Sequence, residues 1–179
     1  MNDTISPSVI EKAKLIKLLI CDVDGVLSDG KVYYSNQGDE IKTFNIKDGL
    51  GIKQLINNGI EVAIITGRES KIVARRAQEL GISFIYQGKS DKKLAYQQII
   101  SQLKLQQNQV AHVGDDLPDL PLMKCSGLGI CVADGHEYVR QNADWVTNTK
   151  GGEGVVREIS DRLLHSQGKL DTILKGYLS

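Results

Sequence analysis

The chain has little of what would commit it to a membrane, a secretory route or a nucleic acid. Its three cysteines, Cys21, Cys125 and Cys131, form neither a CxxC pair nor an even disulfide set, which points to a reducing compartment. No apolar run is long enough to cross a bilayer, and the opening MNDTISPSVIEKAK has no signal core. The expectation is a cytoplasmic protein with no membrane partner. Net charge is missing too. Lys plus Arg and Asp plus Glu each total 22 over 179 residues, which argues against a nucleic-acid partner. No linker, repeat or low-complexity segment interrupts the chain, so residues 1–179 read as one domain. What remains is 41% hydrophobic and 25% charged, the balance of a globular chain with a sizeable core.

What is present alternates. Short apolar runs at KLLICDV, IEVAIITG, ISFIYQG, QVAHVGDD, LGICVA and ADWVTN read as strands. Helical patterns at GLGIKQLINNG, ESKIVARRAQELG, DKKLAYQQIISQL and LPDLPLMKCSG separate them, and GVVREISDRLLHSQG closes the series. Strands alternating with helices predict an α/β fold, a Rossmann-like doubly wound parallel sheet. One segment departs from this. KVYYSNQGDEIKTFNIKDG places two β-rich stretches around a polar turn, a projecting hairpin over about residues 30–47. The tail, about residues 168–179, sets Leu170, Ile173, Leu174, Tyr177 and Leu178 on one helical face, for its own domain or for a neighbour.

Polar residues gather where these strands end. Asp22 and Asp24 follow the first, Thr66-Gly67-Arg68 the second, Gly88-Lys89 with Lys92 beyond the third, and Gly114-Asp115-Asp116 the fourth. Open α/β sheets bind ligands at that edge. Converging carboxylates repel unless a cation sits between them, and an all-oxygen set suits Mg2+. Competing readings of the opening motif fail. A calcium loop would not have Val26 and Leu27 at its fifth and sixth positions, and GLGIKQ lacks the third glycine of a dinucleotide fingerprint. Strand alternation turns Cys21 away from Asp22 into the core and sets His112, at an odd offset from Asp115, to a structural role facing elsewhere. Trp145 reads as core.

In order, DVDGV, IITGR, the lysine of GKSDKK and GDDLPD resemble the four motifs of the haloacid dehalogenase superfamily of phosphohydrolases. With DGKVYYSNQGDEIKTFNIKDGLGIK, VGDDLPDLPLM, Ala143-Asp144, GGEGVVRE and QGKLD, nearly the whole chain is similar to the 3-deoxy-D-manno-octulosonate 8-phosphate phosphatases. The resemblance implies Mg2+-dependent hydrolysis of that sugar phosphate through an aspartyl-phosphate, in lipopolysaccharide sugar synthesis. It makes Asp22 the nucleophile and Asp24 the proton donor and acceptor. Thr66 and Gly67 would meet the phosphoryl group, and Lys92 would balance charge, with Lys89 and Lys93 as competitors. Mg2+ would be held by Asp22, the Asp24 carbonyl and Asp115, with Asp116 and Asp119 orienting these ligands.

Arg68 and Arg157 are candidates for the sugar acid's carboxylate. Asp48 would meet sugar hydroxyls or cap the helix that follows. The gaps between strands are too short for a cap domain of more than about 50 residues, so the fold is expected to be capless and the crevice open in a monomer. Similar capless phosphatases are homotetramers whose hairpin and tail help close a neighbour's site. Val32, Tyr34, Phe44 and Ile46 of the hairpin would be buried at such an interface or against their own sheet. A nine-carbon sialic or deaminated sialic acid 9-phosphate is the alternative substrate. A receiver domain is disfavoured, because DxD stands at the first strand.

Overall fold

The computed structural model describes residues 5–89 and 91–178. In chain order the regular elements are α1 (Pro7–Leu15), β1 (Leu18–Cys21), β2 (Tyr33–Tyr34), β3 (Glu40–Ile41), α2 (Ile46–Asn57), β4 (Glu61–Ile65), α3 (Lys71–Leu80) and β5 (Phe84–Tyr86). There follow α4 (Lys92–Gln102), β6 (Val110–Gly114), α5 (Leu120–Cys125), β7 (Leu128–Cys131), α6 (Glu137–Asn142), β8 (Trp145–Val146), α7 (Val155–Ser166) and α8 (Leu170–Gly176).

Six of the strands form one sheet in the order β5-β4-β1-β6-β7-β8, and every pairing in it is parallel. β1 is apolar at all four positions because it has partners on both edges and helices on both faces; each of its residues is buried. Period-two alternation sorts the core. Leu19, Cys21, Val62, Ile64, Ala111 and Val113 pack with Ile52 of α2 and Ile159 of α7. Leu18, Ile20, Ala63, Ile65 and Val110 face Tyr96 and Ile99 of α4 and Leu122 of α5. Cys21 is thus a core thiol, its pKa pushed far up by burial, as alternation predicts. Strand order reverses between β1 and β6. In a doubly wound sheet that switch point opens a crevice beyond the strands' carboxyl ends, between Asp22 and Asp115.

Three features differ from the sequence reading. The N-terminal segment forms α1, capped by the Ser6 hydroxyl, which accepts the Val9 N–H, and started by Pro7; Val9 and Ala13 bury its inner face. The hairpin ends short of residue 47, because Asn45 accepts the Lys47 N–H and starts α2 at Ile46. Its strands pair only Tyr33 with Ile41 and Tyr34 with Glu40. Of its apolar residues only Phe44 packs on the core; Val32, Tyr34 and Ile46 are 45%, 67% and 82% exposed. The tail face is split as well. Leu170 is buried and Ile173 packs on its own core, whereas Leu174, Tyr177 and Leu178 are exposed. Among the described residues no helix is long and apolar enough to cross a membrane.

Candidate active site

The crevice encloses about 670 Å³ open to solvent, and nine predicted residues line it: Asp22, Asp24, Thr66, Gly67, Arg68, Lys92, Asp115, Asp116 and Asp119. Its floor begins where β1 ends. The Asp22 N–H still donates to Val113 of β6 at 3.1 Å, so the carboxylate is anchored to the sheet. Asp24 remains extended, and Gly25 then turns the chain at φ 88°. A side chain at Gly25 would stand 2.1 Å from Asp115 Oδ2, so glycine both makes the turn and gives that carboxylate its space. The turn is backed by the GGEG segment. The Gly152 N–H donates to the Val26 carbonyl at 2.8 Å, and a Cβ on Gly151 would lie 1.8 Å from the Gly25 carbonyl oxygen.

Lys92 is the first residue of α4, and Asp91 caps that helix by accepting the Lys93 N–H at 3.0 Å. This start aims Lys92 inward. Its Nζ lies 3.1 Å from Asp22 Oδ1 and 2.7 Å from Asp119 Oδ1, and the side chain is 6% exposed. Lys89 and Lys93 are exposed. Asp119 is the hub beneath the crevice. Oδ1 takes Lys92 and lies 3.1 Å from His112 Nε2; Oδ2 accepts the N–H groups of Asp115 at 3.1 Å and Asp116 at 3.4 Å. Four partners leave Asp119 as an orienting group. A Cβ on Gly114 would stand 2.2 Å from its carboxyl carbon, so this glycine is also obligatory. Sequence reasoning turned His112 away from the site. It does point to the face opposite Ala111 and Val113, but α5 brings Asp119 under that same face. Asp116 lines the crevice yet spends Oδ1 on the Leu117 N–H at 2.8 Å, holding the local turn.

The electrostatics follow from burial. Desolvation pushes Asp22 up to about 6, and the charge of Asp119 adds to it while Lys92 opposes it. Desolvation raises Asp115 to about 7, helped by Asp119 and Asp22. Burial works against Asp119 as well, but the hydrogen bond and pull of His112, then Lys92, hold it well below the usual carboxylate range. Burial would lower Lys92, yet Asp22 and Asp119 raise it overall. A divalent cation suits this arrangement. Asp22, Asp115 and Asp119 each offer an oxygen within 4.8 Å of the others. Asp22 Oδ1 is buried and has no hydrogen bond of standard geometry, with Lys92 beside it as an ion pair at 3.1 Å. Two carboxylates pushed toward neutrality, one oxygen without a hydrogen bond and an all-oxygen set fit Mg2+.

The wall is unforeseen. Lys42, on the hairpin, reaches back to ion-pair with Asp24 Oδ1, its side chain 2% exposed. Arg68 lies over the same carboxylate, Nε 3.9 Å from Asp24 Oδ2 and Nη2 2.8 Å from Glu40 Oε1. Lys42 stands outside every strand-end motif, which is why the sequence hid it.

Two predicted substrate residues are absent from the crevice lining. Asp48 is buried and accepts the Arg157 N–H at 2.8 Å, so it caps α7 and not its own helix, whose cap is Asn45. The Arg157 guanidinium donates to Asp161 at 2.8 Å, one turn along α7. Neither reaches toward Asp22 in its own chain.

Comparison with known proteins agrees with this geometry. A family model described as haloacid dehalogenase-like hydrolase matches residues 78–159. A 3-deoxy-D-manno-octulosonate 8-phosphate phosphatase of Yersinia pestis is 51% identical over 167 residues, 93% of this chain and 89% of the relative. A crystal structure of that phosphatase from Yersinia pestis superposes with a TM-score of 0.91 at 52% identity, over 92% of this chain and 89% of the other. The enzyme of that name from Moraxella catarrhalis, solved in complex with magnesium, phosphate and KDO, gives 0.92 at 44% identity over 94% and 97% of the two chains.

Proposed function

Because the chain belongs to the 3-deoxy-D-manno-octulosonate 8-phosphate phosphatase family of haloacid dehalogenase-like hydrolases, we infer that it is a phosphoric monoester hydrolase that releases phosphate from that eight-carbon sugar acid. Its product is the free sugar acid of lipopolysaccharide synthesis, and its cofactor is Mg2+. The observation that carries the reading is the buried Asp22–Lys92 pair, 3.1 Å apart, at the carboxyl end of β1 with Asp115 beside it.

The residues divide the work as follows. A phosphate dianion repels a carboxylate, so Mg2+, held by Asp22, the Asp24 carbonyl and Asp115, supplies the positive charge that brings them together. An Asp22 oxygen forms a bond to phosphorus as the bond from phosphorus to the sugar oxygen breaks. Asp24 gives that oxygen its proton. Asp24 then takes a proton from the water that attacks the aspartyl-phosphate, which releases phosphate and restores Asp22. Lys92 holds Asp22 ionised and in place, and Asp119 fixes Lys92 while its other oxygen sets the backbone that carries Asp115. The Thr66 hydroxyl, the Gly67 N–H and the Arg68 guanidinium bind the substrate's anionic groups.

Residues 1–179 act as one capless domain in the cytoplasm, with no nucleic-acid or membrane partner. The chain assembles as a homotetramer, in which the exposed apolar face of the hairpin and the outer face of α8 are covered by neighbours. Four bulky hairpin side chains left in solvent, Val32, Tyr33, Tyr34 and Ile41, support that reading. Arg157 and Asp48 keep their structural roles. The test is phosphate release from a panel of sugar phosphates with and without Mg2+. Mg2+-dependent turnover strongest on the eight-carbon acid is expected. Preference for a nine-carbon acid would move the substrate and keep the chemistry, and no turnover on any ester would overturn both.

A further inference from the structure

The two oxygens of Asp24 are held unequally. Its Oδ1 meets Lys42 Nζ and lies 3.5 Å from the Ser28 hydroxyl, whereas Oδ2 has Arg68 Nε at 3.9 Å, beyond hydrogen-bond reach. Lys42 is well placed to do this. Its ammonium comes from the residue that follows β3, its side chain is 2% exposed, and Glu40 Oε1, 3.7 Å away, is already bonded to Arg68 at 2.8 Å. Burying a lysine this far is costly unless the charge has fixed partners, and the partner Lys42 bonds is Asp24. A carboxylate with one oxygen pinned has lost the rotation that would exchange its two oxygens. The other oxygen, with Arg68 Nε at 3.9 Å, is then left to the crevice that Asp24 lines.

We propose that Lys42 is a positioning residue for the departing oxygen of the substrate: by pinning Asp24 Oδ1 it presents Oδ2 as the single oxygen that transfers the proton. The idea rests on the phosphatase reading, and within it gives the hairpin a task inside its own chain. In the first step the proton moves from Asp24 Oδ2 to the sugar oxygen as the bond to phosphorus breaks; in the second it returns to Oδ2 from water. Lys42 exchanges no proton in either. With Lys42 gone, Asp24 samples other rotamers and delivery to the leaving oxygen fails more often. The loss therefore depends on how much the leaving group needs the proton.

The experiment measures kcat/KM of wild type, Lys42→Met and Lys42→Arg on p-nitrophenyl, phenyl and alkyl phosphates. Departing p-nitrophenolate needs no proton, a departing alkoxide does, and general acid catalysis is worth on the order of 10²-fold or more. For Lys42→Met the expected loss grows along that series, from a few-fold to about 10²-fold. Lys42→Arg restores the wild-type slope. Because all three esters are read on one preparation, partial misfolding scales the rates alike and leaves their ratios untouched. Equal losses across the series, no loss, or an arginine variant as steep as the methionine one would overturn the proposal. The series needs no natural substrate. Wild type that hydrolyses the aryl esters but no sugar acid phosphate would sink the substrate assignment and leave this test standing.

Discussion

The floor of the crevice and the wall beside it break the ordinary rule of burial in opposite directions. On the floor, Asp22, Lys92, His112 and Asp119 are charged or titratable and buried at the end of a parallel sheet. In the wall, Val32, Tyr34 and Ile46 are apolar and stand in solvent. Each exception points to something outside the single chain. The buried carboxylates are tolerable through Lys92 and a cation. The exposed apolar face would become tolerable if, as proposed, a second copy covered it. The nucleophile belongs to the floor, where the Asp22 N–H ties it to β6 of the sheet.

The contrast sharpens most under Asp22→Asn. Phosphate release should fall by on the order of 10⁴-fold or more, as when an enzyme loses its nucleophile. The metal-free thermal midpoint at neutral pH should not fall, because the lost group is a carboxylate that burial already pushes toward neutrality. A collapse of both would make Asp22 a structural residue.

Asp119→Ala reverses the pattern and strikes stability. It strips Lys92, His112 and two backbone N–H groups of their common acceptor. Breaking such a buried pair costs about 3–5 kcal/mol, to be read by denaturant unfolding. A value near zero would remove Asp119 from the hub.

Mg2+ should raise the thermal midpoint of wild type, by the equivalent of about 2.7 kcal/mol at about a hundredfold excess over Kd. Asp115→Ala should lose most of that rise. An unchanged rise would place the ion elsewhere.

A smaller effect separates Asp48 from the floor. Burial raises its pKa to about 6 in the folded chain, so folded protein binds the proton more tightly than unfolded chain does. The stability this gives is present at low pH and is lost as pH rises from the ordinary carboxylate value through about 6. Asp48→Asn lacks that loss. Its thermal midpoint relative to wild type should climb through this window and level off above it. A flat difference would mean that Asp48 is charged in the fold at all these pH values.

The smallest effect on the monomer should come from the wall. Tyr34→Ser with Tyr177→Ser should change folding stability by about 0.5 kcal/mol or less, since both side chains are exposed, yet should shift the sedimentation coefficient toward the monomer. Unaltered sedimentation would free this face from any role in assembly.

The floor was legible in the sequence because β-strands impose a period of two and end abruptly. DVDG, TGR and GDD announce themselves as polar residues after apolar runs, and the sheet brings such ends together. Lys92 emerged from its rivals once the start of α4 fixed its direction. The wall was hidden for the opposite reason. Lys42 follows a strand of only two residues, where no period can form, and meets Asp24 only through the hairpin's fold. His112 read only as a structural residue facing elsewhere because its partner, Asp119, comes from the turn before α5, which no strand period places. Asp48 and Arg157 were drawn toward the substrate by residue type, when the packing of α2 on α7 had already engaged them.

The most direct test of the account is to trap the phosphorylated enzyme. Asp24→Asn, supplied with p-nitrophenyl phosphate and Mg2+ and quenched in acid during turnover, should carry a phosphoryl group on the peptide containing Asp22. Asp22→Asn should carry none. Turnover with no such adduct, or an adduct on any other residue, would contradict the claim that the end of β1 presents the nucleophile.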